Sequence, residues 1–302
     1  MNQSDAGAQR EHSSAYIVQD RSNLDEMRRL EIQDTILTAG MGGVLPELAD
    51  PLLLQRILDV GCGTGGWLIE TAKTYPTIER LYGGDVSATM LSYAQKQAEA
   101  SHLGERIAFQ QMDALRIIEF PASSFDLVNQ RLGASWIRTW EWKKLLLEYQ
   151  RVLRPGGIAR ITEMHGFIES NSPALTQLGE MSMQVFCHSG RLFTPTPDGL
   201  TGQLAHLLTV SGFENIRTHL HRLVLRAGTL EGHSLQEDIA IGYQVAFPFF
   251  QRWTRVPRNY DEIYQQALIE MQQSDFVATW ALLTVCATTP MQKQHFLMRG
   301  LP

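Results

Sequence analysis

The sequence predicts an α/β protein with a mostly parallel β-sheet and helices on both faces. Short apolar segments alternate with amphipathic segments over residues 56–164, which is typical of parallel strands joined by right-handed crossovers. A glycine-rich loop at 61–66 follows the first apolar segment. A Pro155-Gly156-Gly157 turn precedes a later strand, because proline cannot continue a helix and glycine tolerates positive φ. These three features together predict one large α/β core.

The elements of this core follow in chain order from the spacing of the apolar residues. An amphipathic helix is predicted over 23–37, and the glycine cluster at 40–43 ends it. Five strands are then predicted at 56–60, 80–84, 106–110, 125–129 and 158–164. The helices between them are predicted at 67–75, 88–100 and 143–152. Short strands separated by single helices indicate a sheet that is covered on both sides.

The pattern becomes less regular after residue 165. Further elements are predicted as helices at 174–186 and 200–211, a strand at 214–226, a helical region at about 235–273 and a last strand at 276–287. We therefore divide the chain into a flexible N-terminal tail at 1–22, a ligand-binding core at 23–165, a helical insertion at 166–212 and residues 213–302, which complete the sheet. The insertion and the later helical region are expected to form a lid over the carboxyl edge of the core.

Composition and charge exclude several classes of protein. The 302 residues are 44% hydrophobic and 19% charged, which is ordinary for a globular chain. A net charge of −6 lacks the basic excess of a nucleic-acid-binding protein, and the most apolar late segment, 276–287, is too short to span a bilayer. Cys62, Cys187 and Cys286 lie far apart in the sequence, which favours a reducing compartment over a disulfide scaffold. We therefore expect a cytoplasmic protein that binds neither nucleic acid nor membrane.

The glycine-rich loop carries the clearest functional signal. The sequence Ile57-Leu-Asp-Val-Gly-Cys-Gly-Thr-Gly-Gly-Trp67 runs from an apolar strand through the loop into a helix. Glycine is required where the chain turns tightly and where a ligand approaches the backbone. Read as Gly61-x-Gly63-x-x-Gly66, the loop matches the dinucleotide fingerprint. Asp59 favours a different cofactor, because a carboxylate beside the loop suits an ammonium group better than a pyrophosphate.

The segment Asp59-x-Gly61-x-Gly63-x-Gly65 resembles motif I of the class I S-adenosylmethionine-dependent methyltransferases. Four further features resemble that family in the same order: Asp85, Gln111-Met-Asp-Ala114, Phe125-Asp-Leu-Val-Asn-Gln-Arg131 and Val152-Leu-Arg-Pro-Gly-Gly157. The resemblance implies a Rossmann-like methyltransferase fold of the small-molecule type. It also implies a seven-stranded sheet whose last strand is antiparallel and inserted between its neighbours, with helical lid insertions.

The resemblance further implies where S-adenosylmethionine binds, with S-adenosylhomocysteine as the product. Asp85 is expected to accept hydrogen bonds from the ribose hydroxyls, and Asp113 is expected to contact the adenine amino group. Asn129 is expected to lie beneath the methionine part. The implied cofactor-binding residues are Asp59, Gly61, Cys62, Gly63, Gly65, Asp85, Val86, Met112, Asp113, Ala114 and Asn129.

Residues beyond the later strands are candidates for contact with the methyl acceptor. Glu163 and His165 flank the end of the fifth strand, where parallel sheets place their sites. His165 is a candidate general base, and the alternative is a structural histidine. Trp136, Arg138 and Trp140 are candidate substrate-binding residues, since aromatic rings wall apolar pockets and arginine pairs with anions, and the alternative is helix packing against the sheet. Tyr16 is a further candidate, because the resemblance implies that Tyr16 and the helix after it fold over the cofactor. His219 and His221 have no evident third ligand, so no metal is expected.

We therefore predict an enzyme that transfers a methyl group from S-adenosylmethionine to an O, N or C atom of a small organic metabolite by direct displacement. The chain lacks the Asn/Asp-Pro-Pro-aromatic motif of enzymes that methylate nucleic-acid bases. Two alternatives remain open at the level of sequence. One is an NAD(P)-dependent oxidoreductase that uses Gly66, and the other is a protein that binds S-adenosylmethionine without transferring the methyl group. The expected assembly is a monomer or a homodimer.

Overall fold

The structure is a computed structural model that describes residues 16–18 and 23–291. Within that part of the chain the strands are β1 (Arg56–Val60), β2 (Arg80–Asp85), β3 (Ile107–Gln111), β4 (Phe125–Arg131), β5 (Leu153–Met164), β6 (Glu169–Ser170), β7 (Glu214–Arg226) and β8 (Val277–Thr288). The helices are α1 (Leu24–Gly40), α2 (Gly66–Thr74), α3 (Ala88–Ala100), α4 (Trp142–Val152), α5 (Pro173–His188), α6 (Thr201–Val210), α7 (Leu230–Val245), α8 (Phe247–Trp253) and α9 (Tyr260–Glu270), with 3₁₀ turns at Pro51–Leu53 and Gly133–Ser135.

These strands form one sheet in the order β3-β2-β1-β4-β5-β8, and both β6 and β7 pair with β8. Strands β1 to β5 run parallel, whereas β8 lies between β5 and β7 and is antiparallel to both. The predicted α/β fold with an inserted antiparallel strand is therefore confirmed. Strand β6 continues along the same edge of β8 as β5, and its two residues are too few to leave a sequence pattern.

Apolar side chains fill both faces of the sheet, since strands that are covered by helices on both sides expose neither face to water. Ile57 belongs to a buried cluster with Trp67 of α2 on one face. Leu58 belongs to a second cluster with Leu145 and Tyr149 of α4 on the other face. This packing holds the carboxyl ends of β1, β2 and β4 side by side at one edge of the sheet.

Several helices are preceded by a residue whose short polar side chain caps the first turn. Asn23 Oδ1 accepts a hydrogen bond from the backbone of Asp25 at the start of α1 (2.8 Å), and Ser172 Oγ accepts from Leu175 at the start of α5 (3.0 Å). Ser87 occupies the same position before α3. Such caps satisfy N–H groups that have no partner within the helix. Because Ser87 closely follows β2, its cap also fixes the end of that strand.

Strand β5 differs from its predicted bounds. The sequence predicts a turn at 155–157 and a strand from residue 158, but β5 begins at Leu153. Phe125 pairs with Leu153 and Leu127 pairs with Ile158, so the Pro-Gly-Gly segment forms an irregularity within the strand pairing. Gly156 adopts a φ of 74° there, a conformation that favours glycine. The proline-glycine segment therefore forms a bend, as the sequence predicts, but the predicted boundary of the strand is wrong because β5 begins before this bend.

The two insertions form a helical layer next to the sheet. The predicted helical region at 235–273 contains three helices, α7, α8 and α9, and Pro248 lies at the start of α8, where proline is tolerated. Helix α5 packs against α8 and α9, and α7 packs against α1. Of the tail predicted at 1–22, all but residues 16–18 lies outside the described residues. Within 16–18, the Ile17 N–H donates to the Ser135 carbonyl (3.1 Å), so this part contacts the core.

The described residues contain neither a helix suited to cross a membrane, nor a cluster of three metal ligands, nor a disulfide. None of their helices combines the length and the apolar character that a membrane crossing requires. No three His, Cys, Asp or Glu side chains in this part of the chain come together as a metal site. The three cysteines, all of which are described, are free.

Candidate active site

A cavity of about 650 Å³ lies at the carboxyl edge of the sheet, where open α/β sheets bind their ligands. Its core side is formed by the loop after β1, the ends of β2 and β4 and the segment after β3. Its helical side is formed by α1, α5, α7 and α8. Most of the implied cofactor-binding residues line the core side, namely Asp59, Gly61, Cys62, Gly63, Asp85, Val86, Met112, Asp113 and Ala114. Gly65 and Asn129 do not line the cavity.

The loop after β1 turns through positive φ at three glycines, with values of 71° at Gly61, 51° at Gly63 and 77° at Gly65. The Gly61 N–H donates to the Gly84 carbonyl of β2 (2.8 Å), which ties the loop to the neighbouring strand. A Cβ atom on Gly65 would lie 2.9 Å from the Ala94 Cβ of α3. Gly61 and Gly63 therefore leave space at the cavity wall, whereas Gly65 allows α2 and α3 to pack closely.

Asp59 presents a buried carboxylate at the cavity wall, with 5% of the residue exposed. Its Oδ1 accepts a hydrogen bond from Asn129 Nδ2 (2.7 Å). Burial raises the pKa of Asp59 to about 7, although the Arg131 guanidinium and the Asn129 hydrogen bond oppose this rise. A cation in the cavity would stabilise the ionised form. Asp59 is therefore suited to bind an ammonium group.

Asn129 lies behind Asp59 rather than in the cavity wall. Arg160 Nη1 donates to Asn129 Oδ1 (2.8 Å), and a guanidinium can only donate, so the amide must turn its Nδ2 towards Asp59. Arg160 is in turn paired with Glu47 (Nε to Oε2, 3.0 Å). Burial raises the pKa of Glu47, but hydrogen bonds from His221 and Arg160 and the charge of Arg160 bring it down to about 2. This buried chain of contacts fixes the orientation of the Asp59 carboxylate.

Asp85 and Asp113 lie at the ends of β2 and β3. Asp85 Oδ2 accepts from the Gly63 N–H (3.1 Å) and its Oδ1 accepts from the Ser87 N–H (2.8 Å), so this carboxylate joins the glycine loop to the start of α3. Asp113 Oδ1 accepts from the Leu115 N–H (3.0 Å). Each carboxylate oxygen has a further lone pair. Both acids can therefore also accept hydrogen bonds from ligand hydroxyl or amino groups.

Helix α1 covers the glycine loop. A Cβ atom on Gly63 would lie 3.7 Å from Leu30 Cδ1, and one on Gly66 would meet the Asp34 carboxylate. Asp34 forms an ion pair with Arg131 at the end of β4, and both residues line the cavity. The position of Arg131 at the end of a parallel strand is a signal that could have identified it. Asp34 carries no such signal.

Tyr16, a candidate substrate-binding residue, lines the cavity and joins a buried network of charges. Its hydroxyl donates to Glu26 Oε1 (2.5 Å). Arg29 pairs with Glu26 (2.8 Å) and with Asp238 of α7 (3.0 Å). Burial and the Glu26 carboxylate raise the pKa of Tyr16 well above its ordinary value, so its hydroxyl stays protonated. The network connects residues 16–18, α1 and α7 around the cavity.

The structure brings neither candidate for catalysis into the cavity wall. Glu163 is fully buried, and its carboxylate accepts from Gln130 Nε2 (2.8 Å) and from the N–H groups of Gly133 (2.6 Å) and Ala134 (3.2 Å). Burial raises the pKa of Glu163 to about 7, although these hydrogen bonds oppose the rise. His165 Nδ1 lies 2.9 Å from the Thr201 hydroxyl. Neither side chain makes the contact with the cavity that a general base requires.

The aromatic candidates after β4 separate into two groups. Trp136 lines the cavity, and its indole lies over the glycine loop, since a Cβ atom on Gly61 would be 3.1 Å from Trp136 Nε1. Arg138 also lines the cavity. Trp140 is 65% exposed and packs against Gly190 outside it. The structure therefore places Trp136 and Arg138, but not Trp140, where they can contact a ligand.

A glycine loop preceded by an acid, a second acid at the end of β2 and an antiparallel β8 between β5 and β7 together define a class I S-adenosylmethionine-dependent methyltransferase domain. The family described as "Methyltransferase domain" matches this chain over residues 57–157. The chain therefore carries a domain of that family, and the match covers β1 to the first part of β5.

Several known proteins are similar to the chain. The 27-O-demethylrifamycin SV methyltransferase of Amycolatopsis mediterranei is 26% identical over 84% of this chain and 79% of its own length. A demethylmenaquinone methyltransferase of Porphyromonas gingivalis is 32% identical over 39% of this chain, and the match spans about half (47%) of that relative. A solved structure of the Haemonchus contortus phosphoethanolamine N-methyltransferase 2 has a TM-score of 0.55 at 20% identity, covering 92% of this chain and 61% of that one. This structural likeness supports the fold.

Proposed function

We propose that the protein transfers a methyl group from S-adenosylmethionine to an O, N or C atom of a small organic molecule with a largely apolar body. One observation carries the proposal: a single cavity joins the glycine loop to an apolar wall built by α5, α7 and α8. A methyl donor held on the core side then faces an acceptor held on the helical side. Relatives named for methylating rifamycin and menaquinone precursors support a small organic acceptor.

The side chains of the core side fit S-adenosylmethionine. Asp59 can pair with the ammonium group, and Arg131 can pair with the carboxylate at the same end of the ligand. Asp85 offers acceptors for the ribose hydroxyls, and Asp113 offers one for an adenine amino group. When bound, the cofactor supplies an activated methyl group on its sulfonium. The protein's own contribution is to orient this group towards the acceptor and to exclude water.

The helical side is suited to hold the apolar body of the acceptor. Phe167, Phe186 and Phe250 line it, and Tyr243 adds a hydroxyl that lies 3.2 Å from the Ser182 hydroxyl. Burial raises the pKa of Tyr243 to about 12, so its hydroxyl is protonated at neutral pH and can act as a hydrogen-bond donor. Apolar walls with a few convergent polar groups are typical of small-molecule sites.

The nicotinamide alternative conflicts with the charges at the loop. A dinucleotide bound through Gly66 would place its pyrophosphate at the start of α2. The Asp34 carboxylate lies against Gly66 at that point, and Asp59 adds a second acid to the cavity wall. Two negatively charged carboxylates would repel the negative charge of the pyrophosphate. The geometry therefore favours a cofactor with a positively charged end.

Titration calorimetry with S-adenosylhomocysteine, S-adenosylmethionine, NAD and NADP tests the cofactor. We expect binding of the two adenosyl sulfur ligands alone, and binding of a nicotinamide dinucleotide instead would reject the proposal. Mass spectrometry of S-adenosylhomocysteine formed with a panel of phenols, amines and polycyclic alcohols then tests transfer. Cofactor binding without product from any member of a broad panel would favour the protein that binds S-adenosylmethionine without methylating.

We also propose that the protein acts in the cytoplasm, as a monomer or a homodimer, and without nucleic acid or a membrane as partner. Its three free cysteines support a reducing compartment, and the net charge of −6 disfavours nucleic acid. Size-exclusion chromatography with light scattering measures the assembly. Sedimentation of cell fractions measures the compartment, and recovery in the membrane fraction would contradict the proposal.

A further inference from the structure

Arg138 places a positive charge at the cavity wall. Among the residues that the structure describes, its Nε is buried and has no hydrogen-bond partner. The ring that faces its guanidinium is that of Trp140, with Cζ 5.5 Å from the ring centroid. Burying an unpaired polar or charged group is unfavourable. An arginine held in this way is therefore suited to receive an anion from a ligand.

A second arginine adds to the positive potential at this place. Arg191 is 2% exposed, and its guanidinium lies over the Phe249 ring at 4.6 Å. Burial and the charge of Arg138 lower the pKa of Arg191 to about 10, against the opposing effect of Glu141. Glu141 uses its Oε2 to accept from the Arg138 backbone N–H (2.7 Å).

Arg138 belongs to the acceptor side of the cavity. The next residue, Thr139, donates its N–H to the Gly190 carbonyl (2.7 Å) just after α5. Phe186, near the end of the same helix, lines the cavity, and its ring packs against Phe249 beneath Arg191 (6.1 Å between centroids). The segment that carries Arg138 is thus attached to the helix that forms the apolar wall.

We propose that the acceptor is an amphipathic anion, with an apolar body against the α5 and α8 aromatic residues and a carboxylate paired with Arg138. The planar guanidinium fork of Arg138 matches the two oxygens of a carboxylate. This inference rests on the proposed function, because it names the class of molecule that the helical side of the cavity receives.

Calorimetry on the protein saturated with S-adenosylhomocysteine tests this inference. The probes are benzoate, 2-naphthoate and dodecanoate, each beside its uncharged methyl ester, with 2-naphthyl phosphate as the dianion. We expect at least one carboxylate to bind about tenfold or more tightly than its ester, which is the range of a charge-assisted hydrogen bond. Arg138→Gln removes that preference and leaves ester binding unchanged, whereas Arg138→Lys retains part of it.

The control is Arg28→Gln, which removes an exposed arginine on α1 that pairs with Glu237 and should leave both probes unaffected. Equal binding of acid and ester by the unaltered protein, binding of no carboxylate, or a preference for the phosphate would overturn the inference. S-adenosylhomocysteine binding by each variant reports that it has folded. A protein that fails to bind S-adenosylhomocysteine contradicts the proposed function, whereas one that binds it without preferring carboxylates contradicts the carboxylate assignment alone.

Discussion

The two sides of the cavity are built in different ways. On the core side, backbone turns and carboxylates at strand ends, such as Gly63, Asp59 and Asp85, form the wall. On the helical side, apolar side chains such as Phe186 and Phe250 form it. The sheet register fixes the first group, whereas individual side chains on helices determine the second. Substitutions on the helical side should therefore change the acceptor while leaving the cofactor in place.

The largest effect is expected from Asp85→Ala on the core side. The variant loses the acceptor for the Gly63 N–H and the acceptor for the ligand ribose. We expect S-adenosylhomocysteine to bind about a hundredfold more weakly, since two hydrogen bonds to a charged group are worth about 3 kcal/mol. Calorimetry measures this, with Asp275→Ala, an exposed acid outside the cavity, as the control. Unchanged affinity would remove Asp85 from the cofactor site.

The second largest effect is expected when cofactor binding is measured as a function of pH. Because burial raises the pKa of Asp59 to about 7 and an ammonium group pairs with the ionised form, affinity should fall as the pH drops below 7. We expect S-adenosylhomocysteine to bind roughly twentyfold more weakly at pH 5.5 than at pH 7.5. In Asp59→Asn, binding should be weak and independent of pH over this range. A flat profile in the unaltered protein would contradict this role.

The raised pKa values of two buried acids also determine how the free energy of unfolding of the ligand-free protein changes with pH. Burial raises the pKa of Asp59 and of Glu163 to about 7 in the folded state. Between about pH 4 and pH 7 the folded protein therefore binds more protons than the unfolded chain, so its free energy of unfolding falls as the pH rises. Thermal unfolding of the ligand-free protein at several pH values should show this decline. Asp59→Asn should reduce its slope.

On the helical side, Gly179→Leu should weaken the binding of the acceptor without changing the binding of the cofactor. Gly179 lies in α5 and lines the cavity, and a Cβ atom there would be 3.4 Å from the Phe167 Cβ. A leucine reduces the space for the acceptor, so we expect the binding of a naphthyl probe to weaken about tenfold. S-adenosylhomocysteine affinity should stay unchanged, and an equal loss for both ligands would show that the two sides are not independent.

The smallest effect on ligand binding and turnover is expected from Glu163→Gln, behind the cavity wall. The glutamine keeps one acceptor oxygen in place of two, so one of the N–H groups of Gly133 and Ala134 loses its partner. We expect the free energy of unfolding to fall by about 1–3 kcal/mol, with the turnover of the folded protein little changed. A loss of turnover of about a hundredfold without a change in Tm would instead assign Glu163 the role of a base.

The core side could be predicted because each of its residues lies at or just after the end of a strand in the sequence. The glycine loop and the acids that end β1, β2 and β3 each follow from a strand and the few residues after it. Parallel strands bring those ends to one edge, so a local pattern was enough to group Asp59, Asp85 and Asp113. The inserted position of β8 followed from the family resemblance alone.

The remaining contacts depend on long-range packing, which one sequence does not encode locally. Asp34 and Arg131 are 97 residues apart, and no spacing rule joins them. Trp136 and Trp140 look equivalent in the sequence, yet the chain turns between them and one is directed into the cavity while the other lies outside. Glu163 resembles a catalytic acid at a strand end, but its carboxylate accepts hydrogen bonds from the 3₁₀ turn at Gly133–Ser135.

Helix α1 also limits how this protein can be recombined with its relatives. It contacts the glycine loop through Leu30 and is ion-paired with α7 through Arg29 and Asp238. A chimera that exchanges α7 alone would remove Asp238 and leave the buried Arg29 Nη1 without its ion-pair partner. The exchangeable unit for redirecting the acceptor is therefore α1 together with α5 and the helices α7 to α9, grafted onto a constant strand framework.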